Sequence, residues 1–276
     1  MMETQFLELK DGKIAYDDSG SGPLVILSPS LGDLRAEYRF LAPLLVQAGY
    51  RVASMDLRGH GESSVHWPDF TVADIGADML ALIRHLGGGP ATIVGTSKSA
   101  GGAVWAAVEA PELVNGLLLI GPAVRDGMPV WQTKLLYAPL FLNPWGPSVW
   151  MKYYQTLYPS KKPADFAAYL DTLGKSLRQP GRMAAARKMM TTSNRASEER
   201  LGKVKVPTLV MVGSRDPDFK DPAAEAQRIA SSMSGKVQIV EGSGHYPHAE
   251  MPEVAGDLIL SFLKTVEIKR AESHAS

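Results

Sequence analysis

Apolar and polar positions change their spacing in a regular way along most of the chain. Residues 5–10 and 13–18 alternate apolar and polar positions on either side of Asp11-Gly12, which predicts a β-hairpin. Further strands are predicted for the short apolar runs at residues 24–27, 51–55, 91–94, 114–120, 208–212 and 237–240. Helical spacing of apolar positions is found at residues 37–49, 70–86, 222–233 and 252–263. This alternation predicts an α/β fold, with a mostly parallel sheet flanked by helices on both faces.

The alternation of predicted strands and helices stops between the predicted strands at residues 114–120 and 208–212. Prolines interrupt short helical patterns there, and three of the five tryptophans lie in this stretch. We interpret residues 122–204 as a helical cap inserted into a core formed by residues 1–121 and 205–276. Its candidate pocket residues are Trp131, Tyr137, Trp145, Trp150, Tyr153 and Tyr154. For any one of them, burial in a small core of the cap is the simpler interpretation.

Composition excludes several functional classes. The chain has 29 basic and 29 acidic residues, so no net field attracts nucleic acid or an anionic membrane. It has no cysteine, which rules out disulfides and thiolate chemistry. The first residues lack the pattern of a signal peptide, and no apolar run is long enough to span a bilayer. We therefore expect a soluble, cytoplasmic protein without nucleic-acid or membrane partners.

One stretch, residues 91–102, combines a strand, a turn of small residues and an alanine-rich helix, with Ser97 at the turn. A serine at such a turn exposes its Oγ at the carboxyl end of a sheet, where strand and helix approach closely. Gly95 meets the need for a small residue before Ser97. Ser99 stands where the G-x-S-x-G pattern has its second glycine. Because serine after a strand is also a common helix N-cap, Ser97 alone is only a candidate nucleophile.

A serine nucleophile needs a base and an acid that orients the base. Asp216 follows the predicted strand at 208–212, and His245 follows the one at 237–240 in a glycine-rich loop. Since parallel strands end at one edge of a sheet, Ser97, Asp216 and His245 are predicted to meet there. Without that serine, His245 would be interpreted as a solvated loop residue. Spacing alone leaves other acids open: Asp218, Asp221 and, more weakly, Asp126.

Acyl transfer at a serine also needs two donors for the developing oxyanion. The backbone N–H of Lys98, which follows the nucleophile, is the first. The second is predicted in the loop after the strand at 24–27, where the chain reads Ser28-Pro29-Ser30-Leu31-Gly32. We assign it to the N–H of Leu31, because proline has no N–H to offer.

These motifs resemble the α/β-hydrolase superfamily, and the resemblance covers nearly the whole chain. Residues 56–63, Asp-Leu-Arg-Gly-His-Gly-Glu-Ser, are similar to the D-x-R-G-x-G-x-S loop of its capped esterases, lactonases and cofactor-free haloperoxidase-like members. Residues 94–97, with Pro111 downstream, resemble the elbow, and residues 213–216 and 244–245 the acid and base loops. Residues 28–32 are similar to the S-N-S-L-G stretch of enol-lactonases of aromatic catabolism.

The resemblance implies a capped α/β-hydrolase fold with Ser97 as nucleophile, Asp216 as acid and His245 as base. It also implies a serine hydrolase that cleaves carboxylic esters or lactones of small apolar substrates through an acyl-enzyme, without cofactor or metal. Serine at the elbow separates the chain from dehalogenases and epoxide hydrolases of this fold, which use aspartate. Carbon–carbon bond hydrolysis, perhydrolysis and a low-turnover ligand receptor are alternatives for the same triad.

Lys98, beside the nucleophile, is the least expected residue of the elbow. A cation there favours an anionic substrate or a bulky acyl group, although a long side chain more often points into solvent or joins a salt bridge. Arg58 is interpreted as a brace for its loop. The remaining histidines with a structural or surface interpretation are His60, His66, His85 and His248.

Overall fold

A computed structural model describes residues 3–275, with side chains for residues 3–272. The strands are β1 (Gln5–Leu9), β2 (Gly12–Ser19), β3 (Leu24–Ser28), β4 (Arg51–Met55), β5 (Ala91–Thr96), β6 (Val114–Ile120), β7 (Thr208–Gly213) and β8 (Lys236–Val240). They form one sheet in the order β1-β2-β4-β3-β5-β6-β7-β8. The pairs β1–β2 and β2–β4 are antiparallel, and all later pairs are parallel. The predicted hairpin and the mostly parallel sheet are confirmed.

Helices cover both faces of this sheet. They are α1 (Leu41–Gln47), α2 (Val72–Leu86), α3 (Lys98–Glu109), α4 (Val130–Leu136), α5 (Gly146–Thr156), α6 (Phe166–Arg178), α7 (Arg182–Met190), α8 (Arg195–Glu198), α9 (Pro222–Ser232), α10 (Pro247–Glu250) and α11 (Pro252–Ala275). Short 3₁₀ helices occupy Arg35–Tyr38, Ala138–Phe141 and Leu201–Lys203. Leu41 of α1 and Ile259 of α11 share one apolar cluster, whereas α2, α3 and α9 contribute to another on the opposite face. The carboxyl ends of the parallel strands are left open for a site.

The segment between β6 and β7 is helical. Its described residues include α4 to α8 and no strand. We call residues 122–204 the cap segment; their role as a separate cap remains a prediction. The predicted helix at residues 252–263 is longer in the structure, where α11 continues to Ala275.

Two helical glycines have opposite surroundings and give a test of the packing. A Cβ on Gly76 of α2 would lie 2.6 Å from the carbonyl oxygen of Gly102 in α3, so the two helices cross in close contact. A Cβ on Gly174 of α6 would approach only the end of the Arg178 side chain, at 3.0 Å, and the sulfur of Met151, at 3.4 Å.

We therefore expect Gly76→Ala and Gly174→Ala to change stability in opposite directions. The first forces two backbones apart and should lower the free energy of unfolding by about 1–3 kcal/mol. The second adds a better helix former where a flexible side chain can move, and should raise it by about 0.5–1 kcal/mol. Urea unfolding followed by circular dichroism measures both. Equal shifts of the same sign would contradict the close crossing of α2 and α3.

Candidate active site

Ser97 lies at the turn between β5 and α3 in strained backbone. Its φ of 55° and ψ of −118° fall outside the regions that a non-glycine residue normally adopts. The Ser97 N–H donates to the carbonyl oxygen of Ile120 at 2.8 Å, and the Ser97 carbonyl accepts from the N–H of Ala123 at 3.1 Å. Hydrogen bonds to the end of β6 and the loop after it thus hold the strained residue, a combination that clusters at functional sites.

The small residues around Ser97 fit the close approach of strand and helix. A Cβ on Gly95 would lie 2.9 Å from the backbone of Ala100, so a larger residue there would push α3 away from β5. Ser99, which replaces the second glycine of the pattern, is fully buried. Its Oγ is 2.7 Å from the carbonyl oxygen of Ser28 and 2.9 Å from that of Thr96. The Ser99 hydroxyl therefore ties the turn to the end of β3 without opening it.

His245 is paired with Asp216 beneath the same edge of the sheet. Nδ1 of His245 lies 2.8 Å from Oδ2 of Asp216, and both side chains are buried. Gly121, at the end of β6, makes room for this pair: with a φ of 48°, its Cβ would lie 2.8 Å from Cε1 of His245 and 3.2 Å from Oδ2 of Asp216. The structure thus brings together the acid and base loops that follow β7 and β8.

The other candidate acids have different partners. Asp218 Oδ2 is 3.7 Å from Nδ1 of His245, while its Oδ1 accepts from the Tyr153 hydroxyl at 2.5 Å. Asp221 caps the N-terminus of α9 through the N–H of Ala224. Asp126 accepts hydrogen bonds from the Ser193 hydroxyl and the Asn194 N–H. Asp216 is therefore the acid whose geometry fits His245 best.

Charge and burial act on His245 in opposite directions. Burial favours the neutral imidazole, but the carboxylates of Asp216 and Asp218 outweigh it and raise the pKa of His245 to about 9. A carboxylate at Nδ1 also fixes the tautomer, leaving Nε2 as the atom that can take up a proton when the ring is neutral. A histidine bound to a carboxylate in this way can act chemically as a general base once its ring is neutral.

Ser97 and His245 line one cavity of about 1300 Å³ between the sheet edge and the cap segment. Among the described residues, no hydrogen bond joins Ser97 Oγ to His245 Nε2. Catalytic hydrogen bonds are often long in the absence of substrate and shorten when it binds, so the shared cavity is the relevant observation.

The residues predicted to supply the oxyanion donors, Leu31 and Lys98, line the same cavity as Ser97. The N–H groups on either side of Leu31 are already used: that of Ser30 donates to Glu37 Oε2 at 2.7 Å, and that of Gly32 to His60 Nε2 at 3.0 Å. The Leu31 N–H is the one of these three that has no hydrogen-bond acceptor among the described residues, so it is free to meet a ligand. Lys98 is the first residue of α3, where backbone N–H groups have no partner within the helix.

The six candidate pocket aromatics divide into two groups. Three line the cavity: Tyr137, Trp150 and Tyr153. Three lie outside its lining among the described residues: Trp131, Trp145 and Tyr154. Trp131 and Trp145 are 63% and 51% exposed, and Tyr154 is buried with its hydroxyl 2.8 Å from Asp33 Oδ2. For these three the pocket assignment is corrected, because the two tryptophans extend into solvent and the Tyr154 side chain turns into the protein interior.

A family model described as alpha/beta hydrolase fold matches residues 23–252. The chain belongs to this alpha/beta hydrolase family. Ser97, Asp216 and His245 thus follow one another along the chain in the Ser-Asp-His order that is typical of catalytic residues on this fold.

Individual relatives of this hydrolase are distant but match over nearly their full length. The 3-oxoadipate enol-lactonase 2 of Acinetobacter baylyi is 23% identical, covering 94% of this chain and 96% of that protein. The 2-hydroxy-6-oxononadienedioate/2-hydroxy-6-oxononatrienedioate hydrolase of Comamonas testosteroni is 26% identical, covering 92% of each. The crystal structure of a hydrolase from Pseudomonas aeruginosa matches with a TM-score of 0.80 and 25% identity, covering 94% of this chain and 98% of the other.

No helix in the described part of this hydrolase is long and apolar enough to cross a membrane.

Asp33 and Glu37 form a buried acidic pair behind residues 28–32, the loop that carries the Leu31 N–H and is called the oxyanion loop below. The sequence did not predict this pair. Asp33 accepts from the hydroxyls of Tyr154 and Tyr169, and Glu37 holds the Ser30 N–H. Burial raises the pKa of Asp33 to about 7, with the charge of Glu37 adding to the effect, and burial likewise raises the pKa of Glu37 to about 7. The feature of the sequence that could have predicted this pair is the presence of two acidic residues, four positions apart, directly after the oxyanion loop.

A second missed residue, Glu250, ties the base loop to the cap segment. Its Oε2 accepts the Gly244 N–H at 2.6 Å, next to His245, and its Oε1 accepts the N–H groups of Ser160 and Lys161 at 2.9 and 3.0 Å. The His245 N–H also donates to the carbonyl of Leu157 at 3.0 Å. Glu250 therefore fixes the position of the loop that carries His245.

His60 is a buried structural residue, as the sequence suggested. Burial lowers its pKa to about 4, so the ring is neutral. Nδ1 donates to the carbonyl of Arg58 and Nε2 accepts from Gly32. Arg58 in turn makes two hydrogen bonds of 2.8 Å to the carboxylate of Asp78, which fixes the loop of residues 56–63.

Proposed function

We propose that this protein is a serine hydrolase that cleaves small carboxylic esters or lactones through an acyl-enzyme. The observation that carries the proposal is the joint placement of a strained Ser97 and an Asp216-paired His245 on one cavity. A serine hydroxyl is a weak nucleophile by itself and is activated by an adjacent general base.

In the proposed reaction, Nε2 of His245 takes the proton of Ser97 as Oγ attacks the acyl carbonyl carbon. Asp216 stabilises the resulting imidazolium through Nδ1. The N–H groups of Leu31 and Lys98 bind the negative oxygen of the tetrahedral intermediate. The C–O bond then breaks, His245 returns the proton to the leaving alcohol, and water repeats the sequence on the acyl-enzyme. In a lactone the leaving alcohol remains attached to the acyl group.

The relatives support hydrolysis of a small molecule without fixing the substrate or the kind of bond that is cleaved. One is named as an enol-lactonase, and another as a hydrolase of a hydroxy-oxo-dienedioate. The cavity walls agree with a substrate that has an apolar body, since Phe141, Val149 and Trp150 contribute to them. Carbon–carbon bond hydrolysis, perhydrolysis and ligand reception without turnover are the alternatives that the experiment must separate.

The test combines covalent labelling with an activity panel. A fluorophosphonate should modify Ser97, as mapped by peptide mass spectrometry, and short 4-nitrophenyl esters or lactones should be hydrolysed. Heat-unfolded protein, which should remain unlabelled, is the control. An adduct on a different serine would overturn the assignment of the nucleophile. Folded protein that turns over no ester and no lactone would instead favour a receptor or another reaction of the same triad.

A further inference from the structure

The side chain of Lys98 is a buried cation beside the nucleophile. Lys98 is 6% exposed and lines the same cavity as Ser97. Its Nζ donates one hydrogen bond, to the carbonyl oxygen of Thr192 at 2.8 Å. Among the described residues, no carboxylate comes within 4.0 Å of Nζ. An ammonium group has three donors, so two remain for a ligand.

The other basic side chains that line the cavity are either ion-paired or exposed to solvent. Arg125 makes two hydrogen bonds to Glu225, at 2.7 and 3.1 Å, and Arg228 pairs with the same carboxylate. Lys220 is exposed to solvent. Lys98 is thus the cation of this cavity that is both buried and without an ion pair within the described residues.

The carboxylate whose charge acts on Lys98, that of Asp126, is hydrogen-bonded to other residues. Asp126 opposes the effect of burial on Lys98, but its oxygens accept from the Ser193 hydroxyl at 2.5 Å and the Asn194 N–H at 2.7 Å. Burial dominates and lowers the pKa of Lys98 to about 8. Asp126 therefore leaves much of the desolvation of this ammonium uncompensated.

The position of Lys98 in its helix adds to this imbalance. It is the first residue of α3, a helix of 12 residues, and the positive end of a helix dipole disfavours a cation. A buried charge without a counter-ion costs stability. An anion bound in the cavity would remove both costs at once and would use the two free N–H donors.

We propose that Lys98 binds a carboxylate carried by the ester or lactone substrate. This inference rests on the proposed function and refines it: the substrate has an apolar body and one anionic group that meets Nζ while its carbonyl meets Ser97. The neutral apolar substrates expected from the sequence are then bound less well than their carboxylate analogues. Lys98 is a specificity-determining residue through its side chain, in addition to its backbone N–H.

The kinetic test uses two matched ester pairs, because the carboxylate can lie on either side of the scissile bond. Mono(4-nitrophenyl) glutarate is compared with 4-nitrophenyl butyrate, and 4-acetoxybenzoate with phenyl acetate. For at least one pair, Lys98→Met should lower the ratio of kcat/KM for the anionic ester to that for the neutral ester by about 10-fold or more. Lys152→Met, on the exposed face of α5, is the matched control and should keep the wild-type ratio. Ratios unchanged by Lys98→Met in both pairs would overturn the inference and leave the proposed function intact.

A binding test separates this inference from the chemistry. Calorimetry on the Ser97→Ala protein should show methyl hydrogen glutarate binding more tightly than dimethyl glutarate, and Lys98→Met in that background should abolish the difference. Such binding without any ester turnover by the wild type would refute the proposed reaction but keep the anion site. Equal binding of the two compounds, independent of Lys98, would refute the site. Lys98→Gln serves in both experiments if the methionine variant does not fold.

Discussion

Replacement of Ser97 by alanine is expected to lower kcat/KM for ester hydrolysis by about 10⁶-fold while leaving the fold intact. The magnitude is that found on removing the serine of another serine hydrolase. Folding should survive because the contacts that hold residue 97 are made by its backbone, to Ile120 and Ala123. Alanine keeps a Cβ at the same positive φ, so the backbone strain is unchanged. Steady-state kinetics and urea unfolding of the same preparation measure the two quantities.

Ser99→Ala is the matched control at the same turn. It removes a hydroxyl that bonds to the carbonyls of Ser28 and Thr96, and should cost about 1 kcal/mol of unfolding free energy. Its activity should stay within about 10-fold of the wild type, since Ser99 points into the protein and not into the cavity. If Ser97→Ala kept most of its activity, or if Ser99→Ala lost as much, the assignment of the nucleophile would fail.

The sheet could be predicted because parallel strands are buried on both faces. Such strands are rich in apolar residues, and the predicted bounds at 51–55 and 114–120 coincide with β4 and β6 although both contain polar residues. Their order along the chain, alternating with helices, leaves few arrangements other than a parallel sheet. Because loops after parallel strands share an edge, the loops that carry Asp216 and His245 could be expected to meet, but spacing alone left Asp218 and Asp221 open as the acid.

Other features depend on the surroundings of a residue and not on its pattern. The predicted helix at 37–49 is a 3₁₀ helix at Arg35–Tyr38 followed by α1, with Glu37 turned inward to the Ser30 N–H. A glutamate near a helix start predicts a surface position, since buried carboxylates are rare. Its burial becomes visible only when the oxyanion loop is folded against it.

The cap segment shows the same limit. Tyr153 and Tyr154 are adjacent in α5, so about 100° of rotation separates them. Tyr153 lines the cavity and contacts Asp218, whereas Tyr154 is buried against Asp33. Composition placed aromatic residues near the site, but the orientation of α5 decides which of them a substrate can touch.

Asp216→Asn is expected to lower kcat/KM by about 10⁴-fold across the pH range, the loss found on making the same change in the triad of another serine hydrolase. The amide can donate to Nδ1, which would place the ring proton on Nε2 and remove the acceptor for the Ser97 proton. Gly121 leaves room for an isosteric side chain beside His245, so the fold should be unaffected. Stopped assays between pH 6 and pH 10 measure the effect, and unfolding curves check stability.

Asp218→Asn is the control that separates the two acids, and it should move the pH profile more than the maximal rate. Burial, which favours the neutral ring, is outweighed by Asp216 and Asp218, and together they raise the pKa of His245 to about 9. Below this pKa the imidazole is protonated and cannot accept the Ser97 proton, so kcat/KM rises with pH through it. Without the charge at Asp218 the pKa falls, and the rise should shift to lower pH. A large loss of rate in Asp218→Asn with little loss in Asp216→Asn would instead make Asp218 the acid of the triad, since only the acid bonded to Nδ1 sets the tautomer.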